Sequence, residues 1–439
     1  MLECIVTKFG GSSLANDEQF RKVRSILELE PTRRYLIPSA PGKRFSEDDK
    51  VTDLLYLCHT LASEGKPFQD QFIKIRDRYL SIAQGLHLKV DIAARLDEVE
   101  QGIASGMGRD WCASRGEYLC ALLMADYLSW SFVDAADGIV FNDDGTLNDE
   151  RTQDKLSAAL SDGKPAVVPG FYGAKKNGEV CTFSRGGSDI TGALVARAVH
   201  ADVYENWTDV SGFLMADPRV IESPAEISSI TYKELRELSH MGASVLHEDA
   251  MFPVHRAGIP TNIRNTNKPY HPGTMISKNA PNEISVPTIT GIAGHKGYSV
   301  ISVEKNMMNS EVGFGRKVLS VLEKYGVSFE HMPTGIDSMC VVASSSALEP
   351  HRVDILREIE ALVENSGSVS VSDNLSIIAT VGRGMVHNCG TAARLFGAMS
   401  RARINVRMID QGSSELNIIV GVDGKDFEKA VAAIYDAFV

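Results

Sequence analysis

The chain has 439 residues, of which 44% are hydrophobic and 23% are charged, and its formal net charge is −12. A length near 440 residues favours about three domains. The near-average apolar content excludes a disordered, collagen-like or coiled-coil chain. Because the total charge is acidic and no basic block is present, nucleic acid is not expected as a partner.

Neither the first residues of the chain nor its longest apolar stretch predicts a signal peptide or a membrane span. The N-terminal residues lack the basic and apolar regions of a signal peptide, and Asp126 and Ser129 interrupt the longest apolar stretch, residues 118–133. Seven cysteines without CxxC pairs favour reduced thiols over disulfides or a zinc site. We therefore expect a cytoplasmic protein without membrane contacts.

Up to about residue 285, short β-rich runs alternate with helical stretches, which predicts an α/β domain with a mainly parallel sheet. The predicted strands are 4–7, 35–38, 166–169 and 201–207, and the predicted helices are 17–29, 51–62, 66–84, 88–104, 112–129 and 190–199. A passage rich in Pro, Asn and Gly, residues 265–282, is typical of an exit from such a domain.

The remaining residues contain an internal repeat. Residues 313–335 align without a gap with residues 390–412, at an offset of 77. Each copy predicts a helix, two strands around a glycine turn, and a second helix, at 350–364 and 425–437. This is one βαββαβ unit written twice, about 302–372 and 373–439, with a strand in 286–301 as a candidate for completing the second copy.

The first motif that could carry chemistry is Lys8-Phe-Gly-Gly-Ser-Ser, between the first strand and the first helix. Paired glycines let backbone N–H groups approach a phosphate, and the preceding lysine can reach a terminal phosphate. The spacing of a Walker loop is absent. The alternative is that Gly-Gly-Ser forms only a turn.

A second glycine pair lies in Phe183-Ser-Arg-Gly-Gly-Ser-Asp-Ile-Thr, at the start of a predicted helix. It offers a second anion cradle, in which Arg185 is suited to a bidentate grip on a carboxylate. The alternative is that Ser188 or Asp189 only caps the helix. Two such loops in one domain favour a nucleotide and an anionic co-substrate.

Two further motifs are weak signals by themselves and indicate a ligand site only in combination with the glycine loops. Thr208-Asp209 follows an apolar strand, at the position where open α/β sheets bind ligands, and Asp217-Pro-Arg219 follows within the same loop. Ser114-Arg-Gly-Glu117 lies on a predicted helix. Glu117 is either a solvated surface residue or the receptor of a substrate ammonium group, and the residues alone leave both open.

Together these motifs, with Gly242-Ala-Ser-Val-Leu-His247 and the tandem repeat, resemble the aspartate kinase family over essentially the whole chain. The resemblance implies an amino-acid kinase (carbamate kinase-like) catalytic domain over 1–285 and two ferredoxin-like ACT domains over 286–439, without a fused homoserine dehydrogenase. It implies transfer of phosphate from ATP to L-aspartate, the first step of lysine, threonine and methionine biosynthesis. Mg²⁺ would accompany ATP, without protein side chains as metal ligands.

The resemblance also implies roles for individual residues. Lys8 would contact the transferring phosphoryl group, and Asp189 would orient Lys8. The remaining positions implied for ATP are Gly10, Gly11, Ser12, Ser39, Thr208, Asp209, Leu214, Arg219 and Ser244. Those implied for aspartate are Thr52, Glu117, Arg185, Gly186, Gly187 and Ser188, with Arg185 on the carboxylate and Glu117 on the ammonium group.

This chain departs from the family pattern at three places. Ser244 stands where a lysine is usual, Glu248 replaces a common proline, and a charged stretch, residues 43–50, is longer than the usual turn. The stretch is either a solvated loop or a mobile one that supplies the missing cation. We hypothesise that Lys43 or Arg44 replaces the lysine that is absent at position 244.

The resemblance of the repeat to paired ACT domains implies regulation. The resemblance places an amino-acid effector, lysine with threonine as a second candidate, at Met308, Phe314, Ser328, Phe329, Glu330 and Thr334, and implies self-association as a dimer or dimer of dimers. The apolar members of this set could instead be core residues. Two other functions are weighed: a catalytically weak amino-acid sensor with a degenerate kinase domain, and a glutamate or uridylate kinase, which the double ACT tail disfavours.

Overall fold

A computed structural model describes residues 4–242, 248–278 and 287–439 of the chain. They form two compact units. The first unit comprises the residues up to Phe213 together with Ser228–Tyr232 and Val245–Pro281, and the second comprises Leu214–Ile227, Lys233–Ser244 and Asn282–Val439. The second unit therefore includes two short segments from the range that the sequence assigns to the catalytic domain.

The elements are numbered in chain order. The helices are α1 (Asp17–Glu28), α2 (Val51–Ser63), α3 (Gln69–Gly85), α4 (Ile92–Ala104), α5 (Arg109–Leu128), α6 (Ala135–Gly138), α7 (Asp149–Ala159), α8 (Gly187–Ala198), α9 (Tyr232–His240), α10 (Glu248–Ala257), α11 (Phe314–Lys324), α12 (Ser345–Leu348), α13 (Arg352–Val363), α14 (Thr391–Arg401) and α15 (Phe427–Phe438). The strands are β1 (Ile5–Phe9), β2 (Arg33–Pro38), β3 (Ser131–Phe132), β4 (Val140–Phe141), β5 (Ala166–Val167), β6 (Tyr172–Lys175), β7 (Val180–Thr182), β8 (Val203–Thr208), β9 (Phe213–Leu214), β10 (Glu226–Ile227), β11 (Ser229–Thr231), β12 (Thr261–Asn265), β13 (Thr274–Ser277), β14 (Gly291–Lys305), β15 (Phe329–His331), β16 (Ser338–Ser344), β17 (Gly367–Val381), β18 (Met408–Asp410) and β19 (Asn417–Asp423).

The first unit is built on an eight-stranded sheet with the order β11-β13-β12-β8-β1-β2-β5-β3. All its pairings are parallel except β12 with β13. The mainly parallel sheet predicted from the sequence is therefore confirmed. Strand β1 lies between β2 and β8, so the ends of these three strands bring their loops to one edge of the sheet.

Apolar residues from the strands and the surrounding helices form the core of this unit, among them Phe9, Phe20, Leu36, Leu55 and Trp207. Local sequence also sets the helix ends. The side chain of Asn16, for example, accepts a hydrogen bond from the backbone of Gln19 and caps α1. The three long helical runs predicted before residue 130 correspond to α3, α4 and α5.

The second unit contains a six-stranded sheet with the order β15-β16-β14-β17-β19-β18. Helices α11 and α14 begin 77 residues apart, at Phe314 and Thr391, which is the offset of the sequence repeat. Strand β14 serves both halves of the sheet. Its first residues, Gly291–Lys296, pair with the end of β17, whereas its later residues pair with β16 and with the start of β17.

Two observations bear on the environment of the protein. Within the described ranges, no helix has both the length and the apolar character needed to cross a membrane. All seven cysteines lie in these ranges, and each is a free thiol.

Candidate active site

The loop after β1 is shaped by close backbone contacts. The N–H of Gly10 donates to the carbonyl of Trp207 at 3.0 Å, and the N–H of Gly42 donates to the carbonyl of Gly11 at 2.8 Å. A Cβ atom on Gly11 would lie 2.8 Å from the carbonyl oxygen of Ala40. Only glycine fits at position 11, which explains this residue type, while binding of phosphate by the loop stays a prediction.

Lys8 and Asp189 form an ion pair beside this loop. The Nζ atom of Lys8 lies 2.6 Å from Oδ1 of Asp189, and the two side chains are 11% and 16% exposed. Asn206 joins them, because its Nδ2 donates to the same carboxylate oxygen at 2.8 Å and its Oδ1 accepts from Lys8 at 3.5 Å. The structure thus brings together the two residues that the sequence places at the phosphoryl group.

The second glycine loop leads directly into α8. Gly186 precedes the helix with a left-handed φ of 56°, and no side chain caps it. The proposed capping role of Ser188 or Asp189 is therefore wrong, because the helix begins at Gly187, earlier than the predicted residue 190. A Cβ atom on Gly187 would lie 2.7 Å from the ring of Phe171, which itself has a strained φ of 82°.

Arg185 is exposed at the entrance of this loop. Among the described residues it has no ion-pair partner, so its guanidinium group can bind an external carboxylate. Ser188, in contrast, is only 9% exposed. The loop therefore presents one accessible cation next to the backbone groups of a helix N-terminus.

Glu117 lies in the interior of the first unit rather than on its surface. It is 5% exposed, and burial raises the pKa of its carboxyl group to about 8, although a backbone hydrogen bond from Ala40 opposes this effect. Its Oε2 atom has no hydrogen-bond partner in the described structure. A buried carboxyl group with one unpartnered oxygen is suited to receive an ammonium group.

Glu117 and the first glycine loop share a neighbour. Ala40 contacts the Glu117 carboxyl group through its N–H, and its carbonyl oxygen packs against Gly11. Ser39, the residue before it, donates its N–H to the carbonyl of Phe9 at 3.1 Å. The segment after β2 therefore connects the predicted ammonium receptor with the predicted phosphate cradle.

The other predicted site residues of the first unit lie at the ends of elements. Ser12 is exposed on the turn Gly11–Leu14, and Thr52 is half-buried in the first turn of α2. Thr208 ends β8, and its hydroxyl group donates to Asp209 at 3.1 Å. These positions are compatible with ligand contacts, which stay predictions.

Three predicted nucleotide residues do not belong to the described part of the first unit. Leu214 and Arg219 belong to the second unit, and Ser244 lies outside the described residues. The guanidinium group of Arg219 is 88% exposed and lies 2.6 Å from a carboxylate oxygen of Asp217. Their roles therefore stay predictions.

The charged stretch at 43–50 is anchored rather than free. Arg44 donates to both oxygens of Asp48, and Lys43 donates to the carbonyl of Ser46 at 3.1 Å. Asp48 also receives a 2.5 Å bond from Arg78, which donates to the carbonyl of Gly42 as well. The hydrogen bonds from Arg44 hold the pKa of the Asp48 carboxyl group well below its usual range. Replacement of the missing cation by Lys43 or Arg44 stays a prediction.

The predicted effector residues divide into two groups. Met308 and Phe314 are buried in the core of the first repeat, which fits the alternative that they serve only packing. Ser328, Phe329 and Thr334 are exposed. Phe329 lines a groove of about 500 Å³ together with Leu319, Val327 and Met332 of the same unit. Glu330 lies 3.0 Å from the Nε2 atom of His240 on α9.

Sequence reasoning missed Asn206, Tyr204 and Phe171. Asn206 and Tyr204 lie on β8 and contact Asp189, but a buried polar residue on an apolar strand gives no motif. The left-handed conformation of Phe171 has no sequence signature, since bulky residues rarely adopt it.

Comparison with known proteins shows to which family this chain belongs. The amino acid kinase family matches residues 3–265, and an ACT domain matches residues 378–438. Aspartokinase 3 of Bacillus subtilis is 39% identical over 99% of this chain and 98% of its own length. The lysine-sensitive aspartokinase 3 of Escherichia coli is 25% identical over 99% of both chains. Aspartate kinase from Clostridium acetobutylicum, which is described as an allosteric enzyme, is 52% identical, and its crystal structure superposes with a TM-score of 0.92 over 100% of both chains.

The aspartokinases to which this chain is similar define its class, a phosphotransferase that uses a carboxyl group as acceptor. With the whole-chain similarity to the B. subtilis enzyme, this chain belongs to the aspartate kinases of the amino acid kinase family.

Proposed function

We propose that the chain transfers the γ-phosphoryl group of ATP to the side-chain carboxylate of L-aspartate, giving ADP and 4-phospho-L-aspartate, as the first step of lysine, threonine and methionine biosynthesis in the cytoplasm. The observation that carries the proposal is the Lys8–Asp189 ion pair of 2.6 Å beside the Gly10-Gly11 loop. This pair supplies a fixed cation at a phosphate cradle, and the other residues supply recognition of the acceptor.

The acceptor needs no base. The aspartate side chain is ionised at pH 7, so one carboxylate oxygen attacks the γ-phosphorus while the bond to the ADP oxygen breaks. Catalysis then depends on positioning and on charge stabilisation by Lys8, which Asp189 orients. The N–H groups around Gly10, Gly11, Ser12 and Ser39 would cradle the phosphates.

Recognition of aspartate would use opposite charges at its two ends. Arg185, which has no partner among the described residues, would bind a carboxylate, with Gly186, Gly187 and Ser188 of the helix entry beside it. The buried Glu117 would receive the ammonium group, with Thr52 nearby. Because Oε2 of Glu117 is unpartnered, the bound ammonium group would satisfy it.

The nucleotide and its metal ion complete the site. Thr208, Asp209, Leu214, Arg219 and Ser244 would line the nucleotide. We propose Mg²⁺ bound to the ATP phosphates as the cofactor, where it offsets phosphate charge. The oxygen atoms of Thr208 and Asp209 would accept hydrogen bonds from the water molecules of a hydrated Mg²⁺, so no protein side chain is proposed as a direct metal ligand.

Regulation is proposed for the second unit. The E. coli relative is named as lysine-sensitive, and we propose that lysine, with threonine as a second candidate, inhibits this chain by binding at Ser328, Phe329, Glu330 and Thr334. The carboxylate of Glu330 is suited to an amino group. Inhibition requires that the effector binds the less active state more tightly. Self-association as a dimer or dimer of dimers is part of this proposal.

The activity test is hydroxamate formation from ATP, Mg²⁺ and aspartate, with glutamate as the control acceptor. We expect product with aspartate as the acceptor and none with glutamate, and we expect Lys8→Ala to lower kcat by about 10³-fold. Lys66→Ala is the matched control, because Lys66 is a surface residue paired with Glu64. Product from glutamate at an equal rate, or full activity of Lys8→Ala, would contradict the proposal.

The regulation test measures the same activity under millimolar lysine and threonine, singly and together. We expect inhibition that Glu330→Gln weakens about tenfold, while Glu360→Gln, an exposed change on α13, leaves it intact. Activity that stays flat under both amino acids would remove this part of the proposal. Light scattering with and without lysine measures the oligomer.

A further inference from the structure

Asn206 lies opposite Lys8 in the parallel pairing of β8 with β1. On its other side its partner is Ile263 of β12, an apolar residue. Side chains alternate between the faces of a sheet, so Tyr204 and Asn206 share a face of β8. Both contact Asp189 on α8, so this helix covers the same face.

The contacts of Asn206 form a closed triangle. Its Nδ2 donates to Oδ1 of Asp189 at 2.8 Å, its Oδ1 accepts from Nζ of Lys8 at 3.5 Å, and Lys8 and Asp189 lie 2.6 Å apart. Asn206 is 1% exposed, so water cannot replace these bonds. The hydroxyl group of Tyr204 also donates to the backbone carbonyl of Asp189 at 3.2 Å.

The side chain of Asn206 matches both charged neighbours at once. A neutral amide presents a donor to the carboxylate and an acceptor to the ammonium group, without adding charge. A carboxylate at this position could not donate, and an apolar side chain could do neither. Tyr204 contacts only the backbone carbonyl of Asp189, whereas Asn206 contacts its carboxylate.

We propose that Asn206 is a positioning residue for phosphoryl transfer: it orients the Asp189 carboxylate and thereby sets where the Lys8 ammonium group stands. This inference rests on the roles proposed for Lys8 and Asp189. Asn206 acts through them and contacts no substrate. A displacement of about 1 Å at such a group is sufficient to slow catalysis by about 100-fold.

The first test is Asn206→Leu, read as a split between kinetic constants. We expect kcat to fall about 10- to 100-fold, while the KM for aspartate and the Kd for ADP with Mg²⁺, measured by calorimetry, change less than about twofold. ADP lacks the phosphoryl group that Lys8 contacts. The matched control is Asn262→Leu, which removes another buried amide from the neighbouring strand β12 and should leave kcat within about threefold.

The second test asks whether Asn206 acts through Asp189. In a double-mutant cycle, adding Asn206→Leu to Asp189→Ala should cost less than about threefold in kcat, because the carboxylate to be oriented is already gone. Fully multiplicative losses would overturn the proposal, as would an equal weakening of ADP affinity, aspartate KM and kcat by Asn206→Leu alone.

The third test is the pH profile of Asn206→Asp. Two neighbouring carboxyl groups that share one proton restore a donor and an acceptor, so activity relative to the unsubstituted chain should rise at least about tenfold from pH 9 to pH 6. A flat ratio would overturn the proposal.

A crystal structure separates this inference from the proposed function. If the unsubstituted chain forms no aspartyl hydroxamate, the proposed function fails, but displacement of Lys8 from Asp189 by about 1 Å in Asn206→Leu still supports the positioning. An unmoved pair in that structure would overturn it.

Discussion

Replacing Glu117 with glutamine should make the protein more stable and less active. Burial raises the pKa of this carboxyl group to about 8, compared with 4.5 in its unperturbed state. A group with a higher pKa in the fold than in the unfolded chain binds more protons when folded. The free energy of unfolding contributed by Glu117 is therefore largest below pH 4.5 and is lost as the pH rises towards 8.

The size of the effect follows from the two pKa values. Each unit of pKa corresponds to about 1.4 kcal/mol, so ionising Glu117 in the fold costs on the order of 5 kcal/mol more than ionising it in the unfolded chain. Glutamine has nearly the same shape and stays neutral. At pH 8 the variant should exceed the unsubstituted chain in stability by several kcal/mol, and the difference should shrink towards pH 4.5.

Urea unfolding from pH 5 to pH 8 measures this difference directly. The matched control is Glu205→Gln, because Glu205 is also buried but lies 2.8 Å from Arg33 and 3.3 Å from Arg264. Its neutralisation leaves buried cations unpaired and should destabilise the fold by about 3–5 kcal/mol. In the activity assay, Glu117→Gln should raise the KM for aspartate by at least about tenfold, since an ammonium group loses its counter-charge.

A Glu117→Gln variant that is no more stable than the unsubstituted chain at pH 8 would refute the reasoning. So would parallel pH profiles of the two proteins. Either result would mean that the carboxyl group is solvated or paired in solution. Ionised Glu117 would then not destabilise the fold, and an incoming ammonium group would relieve no such cost.

Further predictions concern binding, the glycine loop and the second unit. Because the pKa of Glu117 is about 8, aspartate binding should release about 0.9 proton from this carboxyl group at pH 7 and about 0.1 at pH 9. Calorimetry in buffers of different ionisation enthalpy measures the number of protons released. Gly11→Ala should raise the KM for ATP at least about tenfold, because the added methyl group meets Ala40, and an unchanged KM would contradict the close packing. Glu234 is fully buried and accepts hydrogen bonds from the backbone and side chain of Arg383. Glu234→Ala should therefore lower the free energy of unfolding of the second unit, measured in urea, by about 3–5 kcal/mol. A change below about 1 kcal/mol would contradict this role of Glu234.

Elements with a strong local pattern could be predicted from the sequence. The period of the apolar residues located α1 to α5, and the repeat located α11 and α14 at the observed spacing. Glycine loops were visible because few other residues allow such close backbone contacts. A strand of two residues, such as β5, is too short for an alternation of apolar and polar residues to locate its ends. The predicted range 166–169 is therefore longer than the strand.

What depends on tertiary contacts could not be predicted. Glu117 was ambiguous because a glutamate on an amphipathic helix is usually solvated, and only the packing of α5 shows that it is buried. Asn206 is recognisable only through the strand register that sets it opposite Lys8. The placing of residues 214–227 and 233–244 in the second unit likewise depends on packing between distant segments.

The shared strand β14 makes the two repeats inseparable as building blocks. Residues 291–296 supply an edge to the half that contains β18 and β19, although they precede the other half in the chain. If one repeat were exchanged for that of a related protein at a boundary near residue 372, β14 of the recipient would therefore pair with a strand from the other protein. A functional chimera should carry residues 287–439 together with residues 214–227 and 233–244 of the same unit, and a substitution along β14 in one repeat affects strand pairing in the other.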